Sequence, residues 1–160
     1  MIEPAAPADA RPIAEIYNRA IEERSATFET RPRPAEEIAE RIAQTPLPFV
    51  VVREGEEVIG WGALSPYSER EVYAGVAEAS VYVAESARGR GVGTRLVEAV
   101  ADAAASHSMH KLLGKIFMTN EASMRLVEKC GFRRVGVHRR HGRLDGEWRD
   151  VLLVERLLDE

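Results

Sequence analysis

Arg88-Gly89-Arg90-Gly91-Val92-Gly93-Thr94 lies between a run that alternates like a strand, Ala77 to Val83, and a long amphipathic run, Val92 to Ala105. Three glycines at alternate positions let the backbone turn tightly and bring several N–H groups to one point. The helix that follows adds its positive end and unpaired donors, so the natural guest of the turn is an anion. Arg88 and Arg90 suit a phosphate or pyrophosphate; solvated arginines on a simple tight turn are the plainer alternative. A nucleoside-triphosphate loop needs a Gly-Lys-Ser/Thr ending, which is absent. A dinucleotide fold places its third glycine one position later and an acid at the end of the next strand, where Met118-Thr119-Asn120 stands. Coenzyme A is the leading candidate that these two absences leave.

Outward from the turn, Leu112 to Phe117 predicts the next strand, and Ala122 to Cys130 a short helix ended by Gly131. Toward the N-terminus, Ile13, Ile16, Tyr17, Ala20 and Ile21 follow helical spacing behind Asp9 as cap, with Pro12 in the first turn, where its missing N–H costs little. A second helix is predicted over Ala35 to Ala43. Phe49 to Val52 and Val58 to Leu64 read as strands around a Glu54-Gly55-Glu56 turn. Phe132 to Arg140 and Trp148 to Leu157 read as an antiparallel pair turning through Leu144-Asp145-Gly146. The order is mixed α/β with one strand–helix–strand crossover in its middle. No repeat or second domain is visible, so residues 1–160 read as a single domain.

The balance of 22 Lys+Arg against 26 Asp+Glu gives a net charge of −4, which argues against nucleic acid as the main partner. A hydrophobic fraction of 45% excludes general disorder. One cysteine, Cys130, excludes a disulfide framework and a thiol metal cluster, and fits a reducing compartment. Met1-Ile2-Glu3-Pro4-Ala5 shows no signal-peptide pattern, and no apolar run approaches a membrane span. A soluble, cytoplasmic protein without membrane partners is the expectation. The basic stretch His138 to Arg143 lacks interleaved aromatic residues and reads as a solvated hairpin, or as a rim that draws in an anionic substrate. Its two histidines, three apart on a strand, are expected on opposite faces, so no metal site is predicted.

Arg88-x-x-Gly91-x-Gly93 resembles the acyl-CoA signature of the GNAT N-acetyltransferases. Asn120-x-x-Ser123 followed by Glu128-Lys129-Cys130-Gly131-Phe132 resembles that superfamily's next helix and its closing glycine–aromatic pair. Arg70-x-x-Tyr73-x-x-x-x-Glu78-x-Ser80-Val81-Tyr82-Val83 is similar to the phosphinothricin and arsinothricin N-acetyltransferase branch. Phe28-Glu29 and Gly142-x-x-x-Gly146-x-Trp148-x-Asp150-Val151 also fit that branch. The resemblance implies a GNAT-like mixed, mainly antiparallel sheet with a splayed central strand pair and flanking helices. It implies acetyl-CoA as co-substrate and no metal. Val81, Tyr82 and Val83 would pair with the pantetheine arm, the Val83 amide polarising the thioester carbonyl. Gly89, Arg90, Gly91, Val92, Gly93 and Thr94, with Arg88, would hold the pyrophosphate; Asn120 and Ser123 would touch the cofactor. A homodimer is implied as well, and a role in resistance to arsinothricin or herbicide.

An amine must be neutral to attack a thioester, while an α-amino group titrates near pH 8 or above. Glu78 sits inside an otherwise apolar strand, where an acid is costly to bury without a purpose or partner. In the resembling enzymes the matching glutamate is the base, working through water. Pleat alternation puts Glu78, Ser80 and Tyr82 on one face and Ala79, Val81 and Val83 on the other. Many GNAT enzymes carry a tyrosine seven residues after the asparagine, and the phosphinothricin branch often a histidine; Val127 stands there and cannot donate a proton to the leaving thiolate. Tyr82 or water are the substitutes. Arg70, whose fork matches carboxylate or phosphinate oxygens, and Tyr73 are expected to border the substrate pocket, with Phe28 as a wall. The expected reaction is acetyl transfer from acetyl-CoA to the α-amino group of a small anionic amino-acid analogue of the phosphinothricin, arsinothricin or methionine sulfoximine type. The competing readings are a GNAT enzyme for another amine (a methionine derivative, a polyamine or a protein N-terminus) and a non-catalytic acyl-CoA sensor.

Overall fold

The computed structural model describes residues 1–159. One seven-stranded sheet runs in the order β1-β2-β3-β4-β5-β7-β6. Its strands are β1 (Ile2–Pro4), β2 (Phe49–Glu54), β3 (Glu57–Pro66), β4 (Val76–Val83), β5 (Lys111–Phe117), β6 (Arg133–Leu144) and β7 (Glu147–Leu157). The helices are α1 (Ala10–Glu23), α2 (Ala35–Gln44), α3 (Val92–Ser106) and α4 (Glu121–Lys129). Only β4 and β5 run parallel, and α3 is their crossover; every other neighbouring pair is antiparallel. The mainly antiparallel mixed sheet expected from the sequence is therefore present, and each predicted element lies within a few residues of its expected position.

Both faces of the sheet are covered, which explains why Phe49 to Val52 is apolar without alternation. Val50 and Val52 pack with Leu96 and Val100 of α3, whereas Phe49 and Val51 pack with Ile13 of α1 and Ile38 of α2. Leu96 and Ile13 are fully buried, and each such side chain stabilises the fold by about 1.5–3 kcal/mol relative to exposure. The α3 helix lies unusually close to β3. A Cβ at Gly60 would come within 2.9 Å of Leu96 Cδ1, and one at Gly62 within 2.7 Å of Val100 Cγ2. Those two glycines let the helix settle on the sheet, with its N-terminus at the end of β4.

Asp9 does not act as a side-chain cap of α1. It ends a short 3₁₀ turn, and its carboxylate accepts from Ala6 N–H at 2.9 Å and from Arg53 at 2.7 Å. The acid thus ties the N-terminal segment to β2. Asp145 and Gly146, with φ of 51° and 81°, make the tight two-residue turn between β6 and β7. Between His138 and Gly142 the register of β6 slips against β7. That bulge stacks the His138 and His141 rings at 4.4 Å, so they do not stand on opposite faces as plain alternation required. Among the described residues no group of three His, Cys, Asp or Glu side chains could hold a metal, and no helix is long and apolar enough to cross a membrane.

Candidate active site

The site begins with a parting of strands. Along β3, β4 is paired from Ala77 to Val83; along β5, only Val76, Ala77 and Glu78 pair, with Lys111, Leu112 and Leu113. Beyond Glu78 the two strands separate. Ala84 N–H donates to Ile59 O, so antiparallel alternation turns the even-numbered residues toward β3. The N–H and C=O groups of Ala79, Val81 and Val83 therefore face the opening. A row of unpaired backbone groups at a cleft wall suits an extended, amide-bearing ligand.

One cleft, of about 370 Å³, runs from this edge to the glycine turn; Val81, Tyr82, Val83, Arg88, Gly89, Val92 and Thr94 are among its lining residues. Gly89 and Gly91 have φ of 75° and 80°, a backbone region that side chains disfavour, and a Cβ on either would meet nothing within 4 Å. The turn is open toward the cleft and leads directly into α3 at Val92, which makes it an anion cradle. Gly93 lies against α4, its would-be Cβ 3.0 Å from Leu126 Cδ2. The residues present fit a pantetheine-linked pyrophosphate.

Arg88 donates to both carboxylate oxygens of Glu23, at 2.7 and 2.8 Å, and Glu23 also lines this cleft. The Arg88 hydrogen bonds hold the Glu23 carboxyl below its ordinary range. Arg90 turns away, pairing with Glu54 at 2.6 Å, and is not among the lining residues of either cavity. Asn120 caps α4 by accepting from Ser123 N–H at 3.2 Å, and donates to Ser25 O at 3.2 Å. It thereby fastens the segment after α1 across the cleft; Asn120 and Ser123 both line it.

A second cavity, of about 440 Å³, opens on the other side of Val81 and Tyr82. The two share Ala26, Val81, Tyr82, Asn120, Ser123 and Leu126, so they meet at the free edge of β4. Glu78 lines the second cavity, and its Oε2 lies 3.4 Å from Lys115 Nζ. Phe28 forms a wall, edge-on to Phe117 with ring centroids 4.7 Å apart. Its ring also lies over Gly142, where a Cβ would come within 2.6 Å of Phe28 Cζ. Val127 lines the same cavity and offers no proton. Tyr82 is stacked on Trp61 at 4.9 Å and edge-on to Tyr17 at 5.1 Å, and burial pushes its phenol well up.

Arg70 and Tyr73 lie elsewhere. Arg70 is exposed at the start of a 3₁₀ turn, Glu71–Tyr73, and Tyr73 packs edge-on against Tyr67 at 5.4 Å. Neither lines either cavity, so within one chain the expected pocket border is not formed by them. The cations that do reach the second cavity are Lys115 on β5 and, when protonated, His141 on the β6 bulge. Sequence reasoning passed over Lys115, although a charge inside the apolar run Leu112 to Phe117 is the same signal that singled out Glu78.

Comparison with known proteins agrees with this geometry. Residues 13–132 match the Acetyltransferase (GNAT) family. The chain is 36% identical to a phosphinothricin N-acetyltransferase of Streptomyces coelicolor, over 98% of this chain and 95% of the relative. It is 29% identical to an L-methionine sulfoximine/L-methionine sulfone acetyltransferase of Pseudomonas paraeruginosa, over 99% of this chain and 94% of that one. The crystal structure of a GNAT superfamily phosphinothricin acetyltransferase from Sinorhizobium meliloti in complex with AcCoA superposes with a TM-score of 0.92 at 28% identity, covering 98% of this chain and 87% of that one. A free β4 edge leading to a glycine cradle, a second cavity that meets it at that edge and is lined by an acid, and kinship over nearly the whole chain lead to one assignment: the protein belongs to the GNAT family and is an acetyl-CoA-dependent N-acetyltransferase.

Proposed function

We propose that this chain, residues 1–160 acting as one domain, acetylates the α-amino group of a small anionic amino-acid analogue, with Glu78 as the base. The observation that carries the reading is the position of Glu78, in the second cavity, next to the point where β4 leaves β5. A carboxylate there can take the amine's proton, directly or through water, and leave the lone pair free to attack. Acetyl-CoA supplies the acetyl thioester. The Val83 amide, directed into the opening, offers a hydrogen bond to an oxygen that gains charge. Burial raises the Tyr82 phenol and weakens it as a proton source, and the departing thiolate is itself a tolerable leaving group. The similarity to the phosphinothricin and methionine sulfoximine acetyltransferases supports an amino-acid analogue as acceptor. Mixing the protein with acetyl-CoA and a panel of amines while titrating released thiol tests the reading. Turnover of phosphinothricin or methionine sulfone, and not of polyamines or peptides, is expected; thiol release with none of them would refute it.

We also propose a homodimer. Val135, Val137 and Trp148 are 43–48% exposed on the β6–β7 hairpin, and a second copy would cover them. Light scattering should give twice the chain mass, and a monomer at micromolar concentration would refute this part alone. The lone, buried Cys130 fits a cytoplasmic setting.

A further inference from the structure

We propose that Lys115 is the residue by which the site selects acceptors whose amine is α to a free carboxylate, an inference that rests on the acceptor reading given above. Lys115 stands two residues past Leu113, the β5 partner of Glu78, so pleat alternation places Lys115 and Glu78 on one face of the sheet, across the gap. Their charged ends are 3.4 Å apart, and both line the acceptor cavity. The Lys115 side chain is 50% exposed, so its ammonium can turn toward a ligand without leaving a buried partner behind.

An α-amino acid carries its amine and its carboxylate on one carbon, so its two charges lie a hydrogen-bond length apart. The Glu78–Lys115 pair presents the opposite charges at a similar spacing. When the amine comes to Glu78 for deprotonation, the carboxylate of the same molecule falls to Lys115, and the zwitterion replaces the internal ion pair charge for charge. Phe28 and Phe117 then form an apolar wall for the remainder of the acceptor. A peptide N-terminus or a simple amine brings no anion, and its binding would take Glu78 from the lysine and supply no counter-charge in return. Lys115 is thus the anion-recognising group that the exposed Arg70 does not supply within this chain.

The test compares L-methionine sulfone with its carboxamide as acceptors for the unmodified protein, for Lys115→Met, which keeps the apolar stem, and for Lys115→Arg. Two readouts are taken: kcat/KM from thiol release, and calorimetric binding of each compound to protein saturated with CoA. The unmodified protein should favour the free acid by at least about 10-fold. In Lys115→Met the preference should collapse toward unity through a raised KM for the acid, and Lys115→Arg should retain most of it. A preference that survives in Lys115→Met overturns the proposal. So does an equal loss of kcat for acid and amide, which would mean that the lysine acts only on Glu78. Absence of turnover with every amine would instead refute the acceptor reading. The calorimetric preference would then still decide the role of Lys115, in favour if it is lost in Lys115→Met and against if it is absent or unchanged.

Discussion

The two edges of β4 carry the same kind of backbone and do different work. Toward β3, the seven residues Ala77 to Val83 have partners, and the edge is part of the sheet's structure. Toward β5, three residues have partners and the remainder faces an opening. The hydrogen-bonding capacity of Ala79, Val81 and Val83 has not been lost in that half; it is held in reserve for a ligand with amides of its own. A binding surface can therefore be made by withdrawing a strand, with no change to the residues on the other side of the gap.

Three substitutions break or sharpen that contrast. Glu78→Gln, at the point where the edges diverge, keeps shape and removes the base, so kcat should fall by about 10²- to 10⁴-fold in a thiol-release assay. The loss should be partly recovered as pH rises, because more of the amine is then already neutral. Val83→Pro removes an N–H on the open edge and leaves the β3 ladder intact, so kcat should fall by about 10²-fold with little change in melting temperature. Ser80→Pro removes an N–H on the β3 edge instead. It should cost about 2 kcal/mol and lower the melting temperature by about 4–8 °C in a thermal scan. If the two proline variants behaved alike, the division of labour between the edges would be wrong.

Gly91→Asp puts a charged side chain where φ is 80°, at the turn that receives the anion, and calorimetry should show acetyl-CoA affinity reduced by about 10-fold. The smallest effect belongs to Glu23→Gln. The Glu23–Arg88 pair is partly exposed, so its loss should cost less than about 1 kcal/mol at neutral pH. Because the folded-state carboxyl of Glu23 titrates below its ordinary range, that contribution is fully present above the ordinary value and disappears as pH falls through the depressed one. Thermal scans of the two proteins should converge in acid and separate above it.

The glycine turn was legible because its information is local: alternate glycines and the start of a helix need nothing from the rest of the chain. The alternation of Glu78, Ser80 and Tyr82 against Ala79, Val81 and Val83 was legible for the same reason. Which of the two sets aims its amides into the cleft was not, since that depends on the bond from Ala84 N–H to Ile59 O, made with a distant strand. The stacking of His138 on His141 was illegible because a bulge is a property of pairing with β7. Arg70 and Tyr73 lie on a connection without periodicity, and proximity in sequence to Glu78 did not translate into proximity in the cavity. Lys115 was readable and was passed over, because the apolar strand around it was read only for its fold.

Arg88 enters the cofactor cleft with a carboxylate already attached to both of its donor ends. An anion that comes to the turn therefore meets a guanidinium whose orientation has been set by the last residue of α1. It must share that guanidinium with a tethered rival and not with mobile salt. Binding at this position becomes an exchange between an arriving negative group and a tethered one. Any shift of the end of α1 is consequently felt at once by the pyrophosphate cradle.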